Sequence, residues 1–595
     1  MTDYAAPLAD MRFALNELAG LKDIAGLPGY EEATPDLVDA VLEEANKLAS
    51  EVIAPLNHSG DKEKAVYENG AVRTPKGFAE AYGQFVEGGW NALPFDPDYG
   101  GQGLPWTLGS ALAEMWNSAN MAFALCPLLT QGAVELLQAH GSEEQKDSYL
   151  PRLISGEWTG TMNLTEPQAG TDVGAVKTRA KPNGDHYLIT GQKIYITYGE
   201  HDFTDNIIHM VLARTPGAPA GSKGISLFIV PKFLPKEDGT PGTRNDLRCV
   251  SIEHKLGING SPTCVMAYGD SGGAVGYLIG EENRGMEYMF TMMNNARLTV
   301  GLQGVAIAER AYQQALHYAR DRVQSAEVGS RGDAVAIIRH PDVRRMLMTM
   351  KSQTEAARAL AYVAAGEMDR ARRDPDEAAR QSHQIDGIDL LTPIVKAWST
   401  DLGVEIASLG VQVHGGMGFI EETGAAQHLR DARITPIYEG TNGVQALDLV
   451  GRKILRYKGE TAQRVIARME EELQGLTAST RVKMIASAVG AGVENLKQAT
   501  GWLVEAGGKD MKLAAAASSP YLRLFGTVAG GWQMARAAER AETLLAEGEG
   551  DTAFLEAKIK SALFYADNVL PQAIGLMTAA TRGAETLQMI EDADF

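Results

Sequence analysis

The chain has 595 residues, 45% of them hydrophobic, which is enough apolar material for several cores and several domains. Acidic residues outnumber basic ones 76 to 55, a formal net charge of −21. That excess argues against nucleic acid, whose affinity rests on Lys and Arg neutralising phosphates, and against electrostatic attachment to an anionic membrane. Three dispersed cysteines, Cys126, Cys249 and Cys264, form no C-x-x-C, and the eleven histidines form no H-E-x-x-H. No metal site is expected, and a reducing, cytoplasmic setting is. The first residues, Met1-Thr2-Asp3-Tyr4, carry no signal pattern, and no uninterrupted apolar run reaches the ~18 residues of a membrane span.

Residues 1–158 read as a helical domain. Leu37, Val41, Ala45, Leu48 and Val52 recur at spacings of three and four and predict one apolar helix face. A glycine-rich break at Asp98–Pro105 interrupts it. From 159 to 285 the period changes to two, which predicts a β domain. Its expected strands are Val176–Lys181, Tyr187–Thr190, Lys193–Thr197, Ile207–Ala213 and Ile225–Val230. Tight turns are expected at Asn183-Gly184 and at Gly191-Gln192. Residues 286–455 return to helix, with a stripe of small residues at Gly301, Gly304, Ala308, Ala311 and Ala315 that lets a second helix approach closely. Glu327–Asp333 reads as a polar loop and Arg370–His383, interrupted by Pro375, as an exposed connection. Residues 456–595 form an additional helical domain, in which Val465, Ile466, Met469, Leu473 and Leu476 outline the first amphipathic helix.

Four segments carry candidate chemistry. Thr435–Asn442 places Glu439 between a Pro-led apolar run and a glycine, conditions for a desolvated general base as well as for an ordinary turn. Met162–Asp172 crowds Thr, Pro, Gly and Asp after a short apolar run. It reads either as a polar loop or as a nest of donors for a phosphate or flavin edge. In Lys193–Thr197, Ile194 and Ile196 share one face, and Tyr195 and Thr197 the other. That second face suits a planar cofactor or simply water. Gln412–Phe419 has three glycines in four residues, which allow close backbone approach. Neither a dinucleotide G-x-G-x-x-G unit nor a P-loop occurs, so an NAD-binding Rossmann domain is not expected.

Taken in order, Leu164–Asp172, Gly191–Thr197, Gln412–Phe419 and Ile437–Thr441 resemble the acyl-CoA dehydrogenase family over residues 30 to 455. The resemblance implies an α+β fold with an N-terminal helical domain, a middle β-barrel and a C-terminal helical bundle, here followed by the extra helical domain. It implies FAD as cofactor, an acyl-CoA substrate, an electron-transferring flavoprotein as electron acceptor, and a homodimer. Glu439 falls at the position of the catalytic base, which removes the α-proton of a thioester while hydride passes to flavin N5. FAD contacts are implied for Met162, Leu164, Thr165, Thr171, Tyr195, Thr197, Thr441 and Asn442. Arg322 and Gln324 match groups that reach FAD across a dimer interface, and Gln412, Gly415 and Gly416 match the opposite wall. Substrate contacts are implied for Thr171, Arg297 and Gly440. His414 is read as packing. A short acyl-CoA such as 3-methylmercaptopropionyl-CoA is the implied substrate. An acyl-CoA oxidase using O₂ and a non-catalytic flavoprotein scaffold are the alternatives. Three positions depart from the family pattern: Asn294 in place of an acid, Ser325 in place of an aromatic, and Gly443 in place of a glutamine.

Overall fold

The structure is a computed structural model that describes residues 4–236 and 238–595. Thr34 and Pro35 start helix α1 (Pro35–Lys47): the Thr34 hydroxyl accepts from Leu37 N at 3.3 Å, and a proline at the first helical position has no N–H to satisfy. The buried face of α1 and the π-helical turn after it is Val38, Leu42, Ala45, Ala49 and Ile53. Ala45 is buried as expected, and the rest of the expected stripe is displaced by one residue. The apolar band is wider than one face, and packing takes its other edge.

A hairpin of β1 (Val66–Glu68) and β2 (Ala71–Arg73) precedes α2 (Phe78–Glu87). Helix α3 (Trp106–His140) is broken at Asn120, where the backbone leaves the helical region (φ −160°, ψ 97°) and the side chain restarts the helix by accepting from Phe123 N at 3.1 Å. By length and composition α3 would span a membrane, but 94% of its apolar window is buried in the protein, as in a core helix. Helix α4 (Glu143–Ser155) carries a complete capping box between Ser142 and Gln145 and ends on left-handed Gly156.

The β region begins at Thr159. Its strands are β3 (Thr159–Asn163), β4 (Arg179–Asn183), β5 (His186–Thr197), β6 (Ile207–Ala213), β7 (Ser226–Pro231), β8 (Phe233–Pro235), β9 (Pro241–Arg244), β10 (Leu247–Ile252), β11 (Thr263–Tyr268) and β12 (Ala274–Leu278). Eight of them form one sheet in the order β10-β11-β5-β12-β7-β6-β3, with β4 paired to β5. They enclose a core that includes Ala180, Ile189, Ile196, Val211, Phe228 and Met266. Two turn readings shift. Asn183 pairs with His186, so Gly184 and Asp185 make the first turn. No turn falls at Gly191-Gln192, because β5 runs through it unbroken. Gly191 serves a different need: a Cβ there would lie 2.5 Å from the Thr178 hydroxyl.

Helix resumes at Gly285, with α5 (Gly285–Asp321), α6 (Pro341–Arg373), α7 (Glu377–Ser382), α8 (Leu390–His414), α9 (Asn442–Asp448), α10 (Glu460–Gly475), α11 (Thr480–Lys509), α12 (Met511–Glu547) and α13 (Thr552–Phe564). The segment 370–383 is therefore largely helical, with Pro375 in the break between α6 and α7. The chain forms two compact units. One comprises Ala45–Leu104 and Met115–Ala296, including the sheet. The other is helical and comprises the N-terminal segment to Glu44, Pro105–Glu114 and Arg297–Phe595.

Inside the helical unit the small-residue stripe packs α5 directly on α8. A Cβ at Gly304 would sit 2.3 Å from the Ser399 carbonyl oxygen, and one at Gly403 would sit 2.8 Å from that of Gly304. The additional C-terminal segment docks on the same helix: a Cβ at Gly526 or at Gly530 of α12 would lie 2.4 or 2.5 Å from the ring of Trp398. Arg358 of α6, 1% exposed, ties the rest together. It pairs with Asp10 at 2.6 Å, Glu114 at 2.6 Å and Glu309 at 2.8 Å, while Lys558 of α13 reaches the same Asp10 at 2.7 Å. Removing one partner from such a network leaves the others charged, buried and unpaired. Arg358→Met should therefore cost about 3–5 kcal/mol of stability, read as a lower denaturant midpoint. Gly304→Ala should cost about 1–3 kcal/mol, because backbone on α8 cannot yield as a side chain would.

Candidate active site

The carboxylate of Glu439 stands in a turn between Ala432 and α9. Ile437 N and Tyr438 N both donate to Ile434 O, and Asn442 N closes the turn onto Pro436 O at 3.0 Å. Glu439 itself is left-handed (φ +56°), as is Gly440 (φ +80°). A non-glycine residue held there stores strain of order 1–3 kcal/mol and persists only where its surroundings impose it. The surroundings are explicit. Thr441 caps α9 by accepting from Val444 N, and Gln445 Nε2 donates to the carbonyls of Glu439 and Gly440. The Tyr438 hydroxyl donates to Gln303 Oε1 on α5.

Among the described residues the half-buried Glu439 carboxylate makes no hydrogen bond and no ion pair within 4 Å, and its own backbone N–H also donates to no protein group. Burial raises its pKa above 4.5, and the charges of Arg297 and Lys396 oppose that rise. Ile437, expected to shield the carboxylate, is instead 46% exposed. Arg297 lies buried within α5, and Gly440 packs close enough that its absent Cβ would be 3.8 Å from the Arg297 guanidinium.

Lys396 of α8 is a residue the sequence reading missed. It is wholly buried, and its Nζ donates to Asn442 Oδ1 at 2.9 Å. Burial pulls its pKa down to about 7, against the opposing pull of Glu439 and Asp401. Asn442 spends its amide on Ala397 O, Thr400 Oγ1 and Asp401 Oδ1. The structure thus places Asn442 as the anchor of the Glu439 turn onto α8, with both of its polar atoms engaged there. A lysine in a run such as Pro393-Ile394-Val395-Lys396-Ala397-Trp398 was the available signal, since an isolated charge among apolar residues on a core helix must have a partner.

The sheet unit carries the second group of candidate residues. Loop 164–168 is built on a buried ion pair. Glu166 Oε1 accepts from Lys193 Nζ at 2.9 Å and from Thr178, and Oε2 accepts from Lys177 N and Gln168. Burial alone would raise Glu166, but Lys193 and these donors hold it near 2. Lys193 also donates to Leu164 O, so Glu166 and Lys193 are the frame of the loop. Opposite that frame β5 bulges. The register with β11 slips between Cys264 and Met266, and Tyr195 takes a left-handed conformation (φ +60°). The expected alternation is broken as a result: Lys193 and Ile196 are buried, Ile194 and Thr197 are half-buried, and Tyr195 stands 61% exposed. Beside it, Thr165 O takes Ile194 N at 2.9 Å, and the hydroxyls of Thr165, Thr171 and Thr197 have no partner among the described residues. Met162 and Leu164 are half-buried and Thr171 is exposed. An exposed aromatic face bordered by unspent hydroxyls fits a flavin ring and its polar edge.

Arg322, Gln324, Gln412, Gly415 and Gly416 all lie exposed. Arg322 donates to Gln324 Oε1 at 3.0 Å, and Gly415 (φ +60°, ψ −138°) adopts a backbone that only glycine takes without strain. Met417, Phe419 and Ile420 form an exposed apolar rim beside them. His414 is packed, stacked on Tyr318 at 4.5 Å with its Nδ1–H donating to Gly410 O. Among the described residues no cluster of His, Cys, Asp and Glu suits a metal.

Four family models match the chain: the acyl-CoA dehydrogenase N-terminal domain at residues 36–157, the middle domain at 161–270, the C-terminal domain at 283–455, and the acetyl-CoA dehydrogenase C-terminal like domain at 465–590. The chain is 51% identical to 3-methylmercaptopropionyl-CoA dehydrogenase of Ruegeria pomeroyi over 95% of its length and 96% of that protein. It is 35% identical to a butyryl-CoA dehydrogenase of Syntrophomonas wolfei over 97% of each. An acyl-CoA dehydrogenase complexed with FAD from Bacillus anthracis shares the fold, with a TM-score of 0.74, 23% identity and coverage of 96% and 91%.

Because folding raises the Glu439 pKa, its contribution to stability is whole below 4.5 and is lost as pH rises through the folded value. Glu439→Gln should therefore gain in melting temperature over the parent as pH climbs from about 4.5 to neutrality. Lys396→Met removes a cation from the base, so the acidic limb of the kcat/KM–pH profile should move to higher pH, with kcat/KM falling roughly tenfold or more near neutrality.

Proposed function

The chain belongs to the acyl-CoA dehydrogenase family, and from that premise we propose that it α,β-dehydrogenates a short acyl-CoA thioester with Glu439 as base. It is an FAD-dependent oxidoreductase by family. The observation that carries the assignment of the base is the strained Glu439: left-handed, without a hydrogen bond, raised in pKa, and attended by Arg297 and Lys396. A thioester α-proton is too weakly acidic for a solvated carboxylate, so the base must be desolvated and the developing enolate oxygen must meet donors. The unspent N–H of Glu439 is such a donor on the same residue. The charges of Arg297 and Lys396 oppose the rise that burial imposes on the carboxylate. Arg297, Thr171 and Gly440 are the substrate contacts this reading expects, Gly440 holding the left-handed backbone that follows the base.

FAD, when bound, supplies the acceptor for the electron pair that leaves with the β-hydrogen. Met162, Leu164, Thr165, Thr171, Tyr195 and Thr197 would hold it, Tyr195 offering its face and the threonines their hydroxyls. In the helical unit Thr441 is carried over as an FAD contact from the family resemblance alone, while Asn442 acts through the turn it anchors. The exposure of Arg322, Gln324, Gln412, Gly415 and Gly416, next to the apolar Met417–Ile420 rim, supports a homodimer in which a second copy covers them. Buried free thiols at Cys126, Cys249 and Cys264 support a cytoplasmic setting. We assign 3-methylmercaptopropionyl-CoA as the leading substrate from the Ruegeria relative, and an electron-transferring flavoprotein as the oxidant of the reduced enzyme.

Anaerobic mixing of the flavin-loaded protein with 3-methylmercaptopropionyl-, butyryl-, octanoyl- and palmitoyl-CoA should bleach the visible flavin band fastest with one of the two short thioesters. Glu439→Gln should slow bleaching by about 10²–10⁴-fold. Rapid reoxidation of the bleached enzyme by O₂ alone would make it an oxidase, and no bleaching by any thioester would end the catalytic reading.

A further inference from the structure

A cavity of about 1000 Å³ lies within the helical unit, between residues 16–39 and helices α6, α10 and α12. Arg370 of α6, Arg468 of α10 and Arg536 of α12 all line it. Burial draws Arg536 below its ordinary pKa; Glu472 opposes this, and the neighbouring charges of Arg468 and Arg370 add to it. Two carboxylates answer these three guanidiniums. Glu367 takes Arg468 at 3.3 Å and shares itself with His383, and Glu472 takes Arg468 at 3.0 Å and Arg536 at 3.5 Å.

Arg370 has no carboxylate partner among the described residues; its Nη2 donates to Ala19 O at 2.8 Å. Arg536 donates to Leu18 O at 3.2 Å and to Gln533 Oε1 at 2.7 Å. Gln533, wholly buried, is not itself on the cavity wall. The remaining acids on these walls are largely engaged: Glu17 by Arg540 at 2.7 Å, Asp39 by Arg12 at 2.7 Å and Glu31 by Gly29 N at 3.0 Å. Asp23 is exposed, and its carboxylate borders Gly20, against which Arg370 Nη2 also packs. Over the whole lining acidic and basic side chains balance, but Arg370, Arg468 and Arg536 meet only Glu367 and Glu472, so guanidinium donors in that group outnumber the carboxylates that take them. An oxyanion would meet that excess of donors.

We propose that this cavity binds a small metabolite bearing an oxyanion, a carboxylate or a phosphate, gripped by Arg370 and Arg536. Planar guanidinium forks match either group bidentately, and the volume is that of a small-molecule site rather than of a lone ion. Arg468, Arg536 and Arg540 come from residues 460–547, so the additional C-terminal segment supplies three of the four arginines of a site otherwise lined mainly by residues 16–39. A bound anion would tie that segment to the N-terminal residues and to α6. The inference does not depend on the dehydrogenase reading, since no residue of the Glu439 site takes part.

The test is calorimetric titration of the full-length, flavin-loaded protein with sodium pyrophosphate and, separately, with citrate. Sodium chloride at matched ionic strength is the control. One probe should bind with roughly millimolar affinity or better and raise the melting temperature at saturation, as any ligand selective for the folded state does. Binding of pyrophosphate alone identifies a phosphate site, and binding of citrate alone a carboxylate site. Arg370→Gln should weaken the successful probe by roughly tenfold or more. Arg370→Lys, which keeps the charge and loses the fork, serves if the glutamine variant does not fold, and should weaken it less. The proposal is overturned if neither probe binds beyond the chloride control, or if affinity is unchanged in the Arg370 variants.

Discussion

The backbone-to-backbone approach of α5 and α8 is the constraint on which the base site rests. Gly301 and Gly304 on one helix meet Val395, Ser399 and Gly403 on the other at distances where a single added Cβ would collide with main chain. Arg297 stands one turn before the glycines on α5, and Lys396 sits among the contact residues of α8. Bringing the two axes together therefore brings two buried cations to the same turn. Held further apart, the helices could not both set the charge of Glu439, and Asn442 would lose the α8 groups that fix the turn's geometry. The small-residue stripe is architecture, but the chemistry is hung on it.

Buried charge is used with a common logic elsewhere in the chain. Glu166 and Lys193 frame the loop beside Tyr195, and Arg358 with its three carboxylates joins four separate segments of the helical unit. Such groups add little net stability compared with apolar packing, because desolvation offsets attraction. They do fix geometry, since a misplaced partner leaves a charge unpaired in a poor dielectric. Glu166 is saturated with donors and stays ionised to low pH, whereas Glu439 is given no donor and is pushed the other way. Two carboxylates of one protein are thereby set to opposite tasks by their surroundings alone.

Strain and function coincide at three places. Glu439, Tyr195 and Ser325 all hold left-handed backbones that side chains disfavour, and each lies in or next to a segment singled out for chemistry. At Tyr195 a β-bulge produces the strain and turns the ring outward. At Glu439 the capped start of α9 and the Gln445 amide impose it. The cost is borne by the surrounding packing, which is why a more comfortable residue at either place would be expected to stabilise the fold and weaken the site.

Periodicity alone located the change to strand at Thr159, the return to helix at Gly285, the strands near Ile207 and Ser226, and the α10 face, because those signals are local and repeat every two or 3.6 residues. The same local chemistry marked Glu439, the loop after Met162, Tyr195 and the glycines after His414 as unusual. Tertiary structure decided what locality cannot encode. The phase of α1 was chosen among two apolar edges by what packs on it. The strand through Gly191 continues because Thr178 fills the place of a side chain. Tyr195 faces outward because the partner strand slips its register. Lys193 and Lys396 acquired their roles from partners 27 and 46 residues away in sequence. The arginine cavity draws on segments separated by hundreds of residues, so only the folded chain could assemble it.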